Sequence, residues 1–223
     1  MNKFYHYGDS FATCDVSEEI FSKGISKHFG MEWVDRGFSG RTNEYILSCL
    51  LQDLPKLKKG DMVFIGFTFF TRGGYINNQD ELASTNVYYD DLTGNMMDGY
   101  HDLEMKRINE VDLKRRTNVL EYVVDYTWDY YVRLFKYLIN PTIEYLKSKE
   151  VDVRYFFLKK DFIKLGDVQK EFYNFLGDGE IDFYGDDYID FLNKNGWMKE
   201  ESVHYTWDIQ SNLTNTFINL WNK

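Results

Sequence analysis

The sequence has little of several residue types, and each shortage excludes a class of protein. Only 2 of its 223 residues are Cys, and Cys14 and Cys49 form neither a CxxC pair nor a zinc-binding spacing. We therefore expect two free thiols in a reducing compartment. With only 4 His, a His-rich metal site is not expected, and we predict neither a metal nor a cofactor.

Positive charge and long apolar runs are also scarce. The net charge is −10, and the one basic cluster, 114–116, follows Glu110 and Asp112, as on a solvated helix face. A nucleic-acid partner is therefore not expected. No stretch approaches the roughly 18 apolar residues of a membrane span. The N-terminal residues lack the pattern of a signal peptide, so we expect the cytoplasm or a particle assembled there.

What the sequence does contain is an alternation of strand and helix patterns. The composition, 43% hydrophobic and 28% charged, is that of a globular chain of single-domain length. Residues 73–117 are Gly-, Asn-, Asp- and Tyr-rich with weak periodicity, which predicts an insertion or lid within the domain. The order predicts one α/β domain over residues 1–223, with a parallel sheet between helices. The predicted strands are 2–7, 32–35, 61–66 and 152–158, and the main helices are 16–29, 42–54, 118–139 and about 207–221.

The first candidate for chemistry is the turn Gly8-Asp9-Ser10 after the first strand. A side chain at the carboxyl end of such a strand lies where open α/β folds build their sites. The Ser10 hydroxyl would be exposed there, and its backbone N–H could face a developing oxyanion. Taken alone, the triplet fits a helix cap better.

Two further blocks follow the second and third strands. Gly40, in the segment 37–43, lets the backbone approach a ligand, although a turn glycine is equally consistent. Thr68 stands where the third strand opens into a loop, and its hydroxyl both donates and accepts. Arg72 could bind an anionic group of a substrate, while a structural ion pair is the commoner fate of a lone Arg.

The last block, Glu201-Ser-Val-His204, precedes the final helix. A carboxylate three residues before a His can hold the imidazole Nδ1–H, which leaves Nε2 to take a proton from a serine. A single His of this kind, by itself, is more often an ordinary surface residue.

Together, these blocks resemble the SGNH/GDSL hydrolases. The family has Gly-Asp-Ser near the N-terminus, a Gly after the second strand, Gly-x-Asn after the third, and Asp-x-x-His near the C-terminus. The resemblance spans the chain except 73–117, and implies a three-layer α/β/α, flavodoxin-like domain with about five parallel strands. It implies Ser10 as nucleophile, His204 as general base and Glu201 as its orienting acid. Asp9 and Arg72 would contact substrate.

This chain departs from the family pattern at two positions. Thr68 replaces the Asn of the third block, and Glu201 replaces the Asp before the His. The oxyanion would be held by the backbone N–H groups of Ser10 and Gly40 and by the Thr68 hydroxyl. Loss of one donor typically costs about 10²–10³ in turnover, which predicts a weak esterase unless Thr68 compensates. A Gly-x-Thr block followed by Arg is similar to a divergent branch of the family found often in phage genomes, and such a protein would be associated with a virion.

The predicted substrate is an ester, small or on a glycan. Four tyrosines of the insertion could stack sugars, which favours glycan O-deacetylation, although core packing explains them equally well. The main alternative is a non-catalytic binding or structural protein on a degenerate hydrolase scaffold. A thioesterase or acyltransferase would need an acyl-carrier site, for which the sequence gives no signal. The tyrosines are Tyr75, Tyr88, Tyr89 and Tyr100.

Overall fold

The computed structural model describes residues 1–9, 20–38, 41–68, 72–76, 82–90, 95–98, 133–158, 179–198 and 209–222. Within these ranges the predicted strands and helices form close to the predicted positions. In chain order the elements are β1 (Lys3–Tyr7), α1 (Phe21–His28), β2 (Glu32–Asp35), α2 (Asn43–Asp53), β3 (Met62–Phe67), β4 (Arg72–Ile76), β5 (Leu82–Asp90), β6 (Asn95–Asp98), a π-helical turn (Phe135–Ile139), α3 (Asn140–Ser148), β7 (Asp152–Phe157), α4 (Tyr188–Lys194) and α5 (Gln210–Trp221).

Four strands form one parallel sheet in the order β2-β1-β3-β7. In its registers Tyr5 is paired with Val34 on one side and with Val63 on the other, and Val63 continues to Val153. The chain leaves β1 toward β2 on one side and returns to β3 on the other. The carboxyl ends of β1 and β3 therefore flank a topological switch point, where open α/β sheets bind their ligands.

Alternating side chains of the sheet build two separate aromatic cores. On one face Tyr5, Val63 and Tyr155 pack against α2 and α3. On the other face Phe4 and Phe64 pack against α1, α4 and α5. Strands buried on both faces read as nearly continuous apolar runs, which is why the pattern 61–66 predicted β3 well.

This arrangement confirms the predicted α/β architecture, a parallel sheet between helical layers. Four of its strands lie in the described residues, against the predicted five or so. No helix of the described ranges is both long enough and apolar enough to cross a membrane.

The segment 73–117 contains more regular structure than its composition indicates. Arg72–Ile76, Leu82–Asp90 and Asn95–Asp98 form a three-stranded antiparallel meander, in which Gly74 is paired with Ser84 and Tyr88 with Met97. The weak periodicity of this segment did not predict these strands. Gly and Asn disfavour strands locally, and the strands form through pairing with their cross-strand partners. Residues 99–117 lie outside the described residues.

The helix predicted over 118–139 is described from residue 133 onward, where it includes a π-helical turn. The helical segment continues through Pro141, which lies in the first turn of α3 directly after the π-helical turn. Thr142 Oγ1 donates to the Leu138 carbonyl at 2.6 Å across this junction.

Candidate functional site at the carboxyl edge of the sheet

The turn after β1 is joined to the loop after β2 by backbone hydrogen bonds. Arg36 N–H donates to the His6 carbonyl at 2.8 Å, and Phe38 N–H donates to the Gly8 carbonyl at 3.0 Å. These bonds extend the β1–β2 pairing past the ends of both strands. They hold the start of the first predicted block against the start of the second.

The same turn is joined to the end of β3 by a buried side-chain hydrogen bond. Thr68 Oγ1 donates to Asp9 Oδ2 at 2.6 Å, and both residues are almost completely buried. The bond crosses the switch point between β1 and β3. A hydroxyl-to-carboxylate bond of this length is short, as expected for a charge-assisted pair.

Asn43, the first residue of α2, fixes the backbone of Thr68 from the other side. Its Oδ1 accepts from Thr68 N–H at 2.9 Å, and its Nδ2 donates to the Thr68 carbonyl at 3.2 Å. Asn43 is fully buried, so one carboxamide satisfies two polar groups that water cannot reach. We call Asp9, Asn43 and Thr68 the Thr68 cluster.

The start of α2 is positioned by its cap. Thr42 adopts an extended conformation, and its hydroxyl oxygen accepts from Tyr45 N–H at 3.3 Å. Thr is a favoured cap because its oxygen satisfies one of the helix's unpaired N–H groups. The cap therefore sets where the Asn43 carboxamide meets Thr68.

A second polar cluster lies where β1, β2 and α2 meet. Asp53 accepts from Arg36 Nε at 2.8 Å and Arg36 Nη2 at 3.0 Å, from Lys56 Nζ at 2.7 Å and from the Tyr7 hydroxyl at 3.2 Å. We call Tyr7, Arg36, Asp53 and Lys56 the Asp53 cluster. Its carboxylate is buried, while the two cations reach solvent.

The surroundings of the Asp53 cluster shift the pKa values of Asp53 and Tyr7 in opposite directions. Burial acts to raise the pKa of Asp53, but hydrogen bonds from Arg36 and Lys56 outweigh it and lower the pKa below its ordinary value of 3.8. Burial, reinforced by the charge of Asp53, raises the pKa of the Tyr7 hydroxyl. Asp53 is thus held ionised and Tyr7 neutral.

A buried histidine lies under the loop after β2. His6 Nδ1 lies 3.0 Å from Asp35 Oδ1, which also accepts from Gly37 N–H at 2.9 Å. His6 Nε2 is buried without a hydrogen-bond partner. The contact turns Asp35 toward the loop that leads to Gly40.

The predicted site residues divide into described and undescribed ones. The structure brings Asp9 and Thr68 into direct contact. For Arg72 it describes only the backbone, at the start of β4. The remaining predicted site residues, Ser10, Gly40, Glu201 and His204, lie outside the described residues, although Ser10 directly follows Asp9 and Gly40 directly precedes Arg41.

Sequence reasoning gave no role to Asn43 or Asp53. An Asn at a helix start reads as a cap residue, and Asp53 reads as a polar residue at a helix end. The nearest signal for Asn43 was its place in the block 37–43. Among the described residues, no group of three or more His, Cys, Asp or Glu side chains could hold a metal ion.

Solved structures of lipolytic enzymes share this fold. A psychrotrophic esterase from a Pseudoalteromonas species, also known in a form inhibited by monoethylphosphonate, aligns over 100% of this chain and 97% of its own at 10% identity, with a TM-score of 0.50. A lipase from a goat rumen metagenome aligns over 99% and 97% at 13% identity, with a TM-score of 0.50. A protein from Desulfitobacterium hafniense, described as of the lipolytic G-D-S-L family, aligns over 99% of both chains at 14% identity, with a TM-score of 0.48.

The likeness in these comparisons is one of fold. No family model matches the sequence, and no curated protein matches it significantly. The fold of the chain matches that of the SGNH/GDSL hydrolases, the family that its polar blocks resemble. That part of the resemblance is confirmed.

Proposed function

We propose that this chain is a serine esterase that works through an acyl-enzyme. The observation that carries the proposal is the Asp9–Thr68 hydrogen bond across the switch point, one residue from Ser10. The Phe38–Gly8 bond supports it from the other side, since it ties the loop leading to Gly40 to the turn leading to Ser10. Three of the four sequence blocks therefore begin at one edge of the sheet.

In the proposed mechanism His204 removes the proton from Ser10, whose oxygen attacks the ester carbonyl. The backbone N–H groups of Ser10 and Gly40 stabilise the oxyanion. Glu201 orients the imidazole, which then protonates the leaving alcohol. Water attacks the acyl-enzyme by the reverse proton path and releases the acid.

The role of Thr68 in this scheme depends on its single hydroxyl hydrogen. In the structure that hydrogen is donated to Asp9 Oδ2. For Thr68 to act as the third oxyanion donor, its hydroxyl must turn from Asp9 to the substrate when the ester binds. Without that rotation, two backbone N–H groups carry the oxyanion and the esterase is slow.

The same hydrogen bond favours one second candidate, a non-catalytic binding or structural role on this scaffold. A hydroxyl held permanently by Asp9 would leave the family's third oxyanion position without a donor. Ser10-dependent turnover separates the esterase from the non-catalytic role, and a Thr68→Val variant then tests whether Thr68 donates to the oxyanion, because Val keeps the shape and removes the hydroxyl. If Thr68 donates, turnover falls by about 10²–10³, and Thr68→Ser retains it.

The proposed substrate is an O-acetylated glycan. Three of the four insertion tyrosines, Tyr75, Tyr88 and Tyr89, lie on β4 and β5, which directly follow the site edge of β3. Aromatic rings are suited to packing on the apolar face of a sugar. A glycan also agrees with an acidic chain without a long apolar run.

The test of the esterase proposal is hydrolysis of p-nitrophenyl acetate by wild type and by Ser10→Ala. We expect a Ser10-dependent rate that also falls in His204→Ala. Equal rates for wild type and Ser10→Ala, in protein that melts at the same temperature, would overturn the proposal. Release of acetate from an acetylated oligosaccharide then tests the glycan.

A further inference from the structure

A pocket of ≈ 290 Å³ opens beside the loop after β2, outside the residues assigned to catalysis. One wall is the loop itself, and the other is one face of α2 at positions 45, 49 and 52, spaced as neighbours on a helix surface. The volume is at the lower end for a small-molecule site. Its lining residues are Asp35, Arg36, Gly37, Phe38, Tyr45, Cys49 and Gln52.

The pocket is connected to the turn after β1, which leads to Ser10. Its wall residue Phe38 donates its backbone N–H to Gly8, two residues before Ser10. Phe38 also precedes Gly40 by two residues. The pocket residue Phe38 is therefore linked both to the turn that leads to Ser10 and to the loop that leads to Gly40.

An aromatic surface is held in place at the pocket's rim. The Phe38 side chain is half exposed. The guanidinium carbon of Arg41 lies 4.6 Å from the ring centroid of Phe38 and 4.6 Å from that of Tyr45. Stacking on both rings fixes Phe38 as a rigid platform.

The remaining lining is polar but electrically balanced. Asp35 and Gln52 supply hydrogen-bond acceptors, and Gln52 also supplies donors. Asp35 and Arg36 carry opposite charges, and Arg36 also pairs with Asp53, which Lys56 contacts as well. Arg41 adds a cation at the rim, where its guanidinium lies against the two rings. Planar polar groups around an aromatic platform suit a neutral ligand with several hydroxyl groups, whose C–H face packs on the ring.

We propose that this pocket binds the sugar ring next to the scissile ester, so that the alcohol part of the substrate is a neutral carbohydrate. The inference rests on the proposed esterase function. It deepens that function by assigning substrate recognition to Phe38 and Gln52, which the mechanism does not use. A fatty alcohol or acyl chain would leave Asp35 and Gln52 facing an apolar group.

The kinetic test compares p-nitrophenyl acetate, which has no sugar, with partially O-acetylated chito- and xylo-oligosaccharides. In Phe38→Ala and in the milder Gln52→Ala we expect KM for an oligosaccharide to rise on the order of tenfold with little change in kcat. The p-nitrophenyl ring would occupy the same pocket but has no hydroxyl groups, so Gln52→Ala should leave the kcat/KM for p-nitrophenyl acetate within about twofold. Tyr145→Ala removes a similarly exposed ring from α3 and should leave the kinetics of both substrates unchanged.

A binding test separates this inference from the esterase proposal. Cys49 lines the pocket, and burial raises the pKa of its thiol, so it should react slowly with N-ethylmaleimide. In the Ser10→Ala protein, non-acetylated chito- or xylo-oligosaccharide should slow that labelling further, read by peptide-mapped mass spectrometry. Such protection stands even if no esterase activity exists.

Two results would overturn the sugar subsite. One is unchanged oligosaccharide KM in both pocket variants together with unprotected Cys49 in Ser10→Ala. The other is a loss in Phe38→Ala that affects p-nitrophenyl octanoate as strongly as the oligosaccharides, which would mark an apolar acyl pocket. Equal hydrolysis of p-nitrophenyl acetate by wild type and Ser10→Ala would instead overturn the esterase proposal alone.

Discussion

The Thr68 cluster and the Asp53 cluster lie at the two ends of α2, and they hold their buried carboxylates in different ways. Asp53 accepts hydrogen bonds from two cations and a phenol, so its negative charge is compensated by the side chains that contact it. Asp9 receives the Thr68 hydroxyl, and Thr68 is itself held by Asn43 through its backbone. The Asp53 cluster fastens β1, β2 and α2 together, whereas the Thr68 cluster joins the ends of β1 and β3 to the start of α2.

The contrast predicts which cluster matters for stability and which for chemistry. Loss of the Asp53 cluster should weaken the fold and leave the proposed reaction nearly intact. Loss of the Thr68 cluster should weaken both, because its hydrogen bonds fix Asp9 and Thr68, which the proposed mechanism requires beside Ser10. The following variants test this division.

The largest effect is expected from Asn43→Ala, which leaves the buried N–H and C=O of Thr68 without partners. Each unsatisfied buried group costs about 1–3 kcal/mol, so we expect unfolding free energy to fall by about 3 kcal/mol. Turnover of p-nitrophenyl acetate should fall on the order of tenfold or more, since the edge loses its alignment. Urea unfolding and steady-state kinetics measure the two effects.

Asn43→Gln is the matched control, because it keeps both the acceptor and the donor on a side chain that is one methylene longer. It should lie between wild type and Asn43→Ala in both measurements. Full activity in Asn43→Ala would contradict a positioning role for the Thr68 cluster.

The next largest effect is expected from Asp53→Ala, and it should be confined to stability. The buried Tyr7 hydroxyl loses its acceptor and the Arg36 pair is broken, so we expect a loss of about 2 kcal/mol. The kcat/KM for p-nitrophenyl acetate should stay within about twofold. Glu144→Ala, which breaks an exposed pair with Lys147, should change unfolding by under about 0.5 kcal/mol. A loss of kcat/KM in Asp53→Ala as large as that in Asn43→Ala would contradict the division between a stabilising Asp53 cluster and a positioning Thr68 cluster.

The lowered pKa of Asp53 predicts a pH dependence of stability. Because the folded-state pKa lies below the ordinary value of 3.8, the unfolded chain takes up the proton first as pH falls. The stabilisation is therefore complete above about pH 5 and is lost as pH falls from there through the folded-state pKa. The stability difference between wild type and Asp53→Asn should shrink over that acid range, measured by urea unfolding at each pH. A difference that grew on acidification would have the wrong sign.

The smallest effect is expected from Lys56→Ala. The Lys56 side chain is mostly exposed, and Arg36 still neutralises Asp53 after its removal. Solvent screening limits such a pair to under about 1 kcal/mol. A loss as large as that in Asp53→Ala would show that Lys56, rather than Arg36, carries the ion pair.

The sequence predicted the parallel sheet because its strands, buried on both faces, appear as short apolar runs. The sequence did not predict the meander β4-β5-β6, because residues such as Gly74 and Asn86 disfavour strands locally. In the structure each is paired with a residue of the adjacent strand, Gly74 with Ser84 and Asn86 with Arg72.

The candidate site was partly predictable because its residues directly follow strands. Asp9 and Thr68 were identified in that way, and the structure places them in contact. The roles of Asn43 and Asp53 depend on contacts across 25 and 46 residues of chain, with Thr68 and Tyr7, and no local pattern encodes such contacts.

The most direct test of the central claim, that Ser10 is an activated nucleophile, is covalent labelling with a p-nitrophenyl alkylphosphonate. Attack by Ser10 would release p-nitrophenol and leave one phosphonyl group on the serine oxygen. We predict one adduct per chain by intact mass, mapped to Ser10, absent in Ser10→Ala and strongly slowed in His204→Ala. A folded wild-type protein that gains no adduct, or a Ser10→Ala variant that gains the same one, would contradict the account.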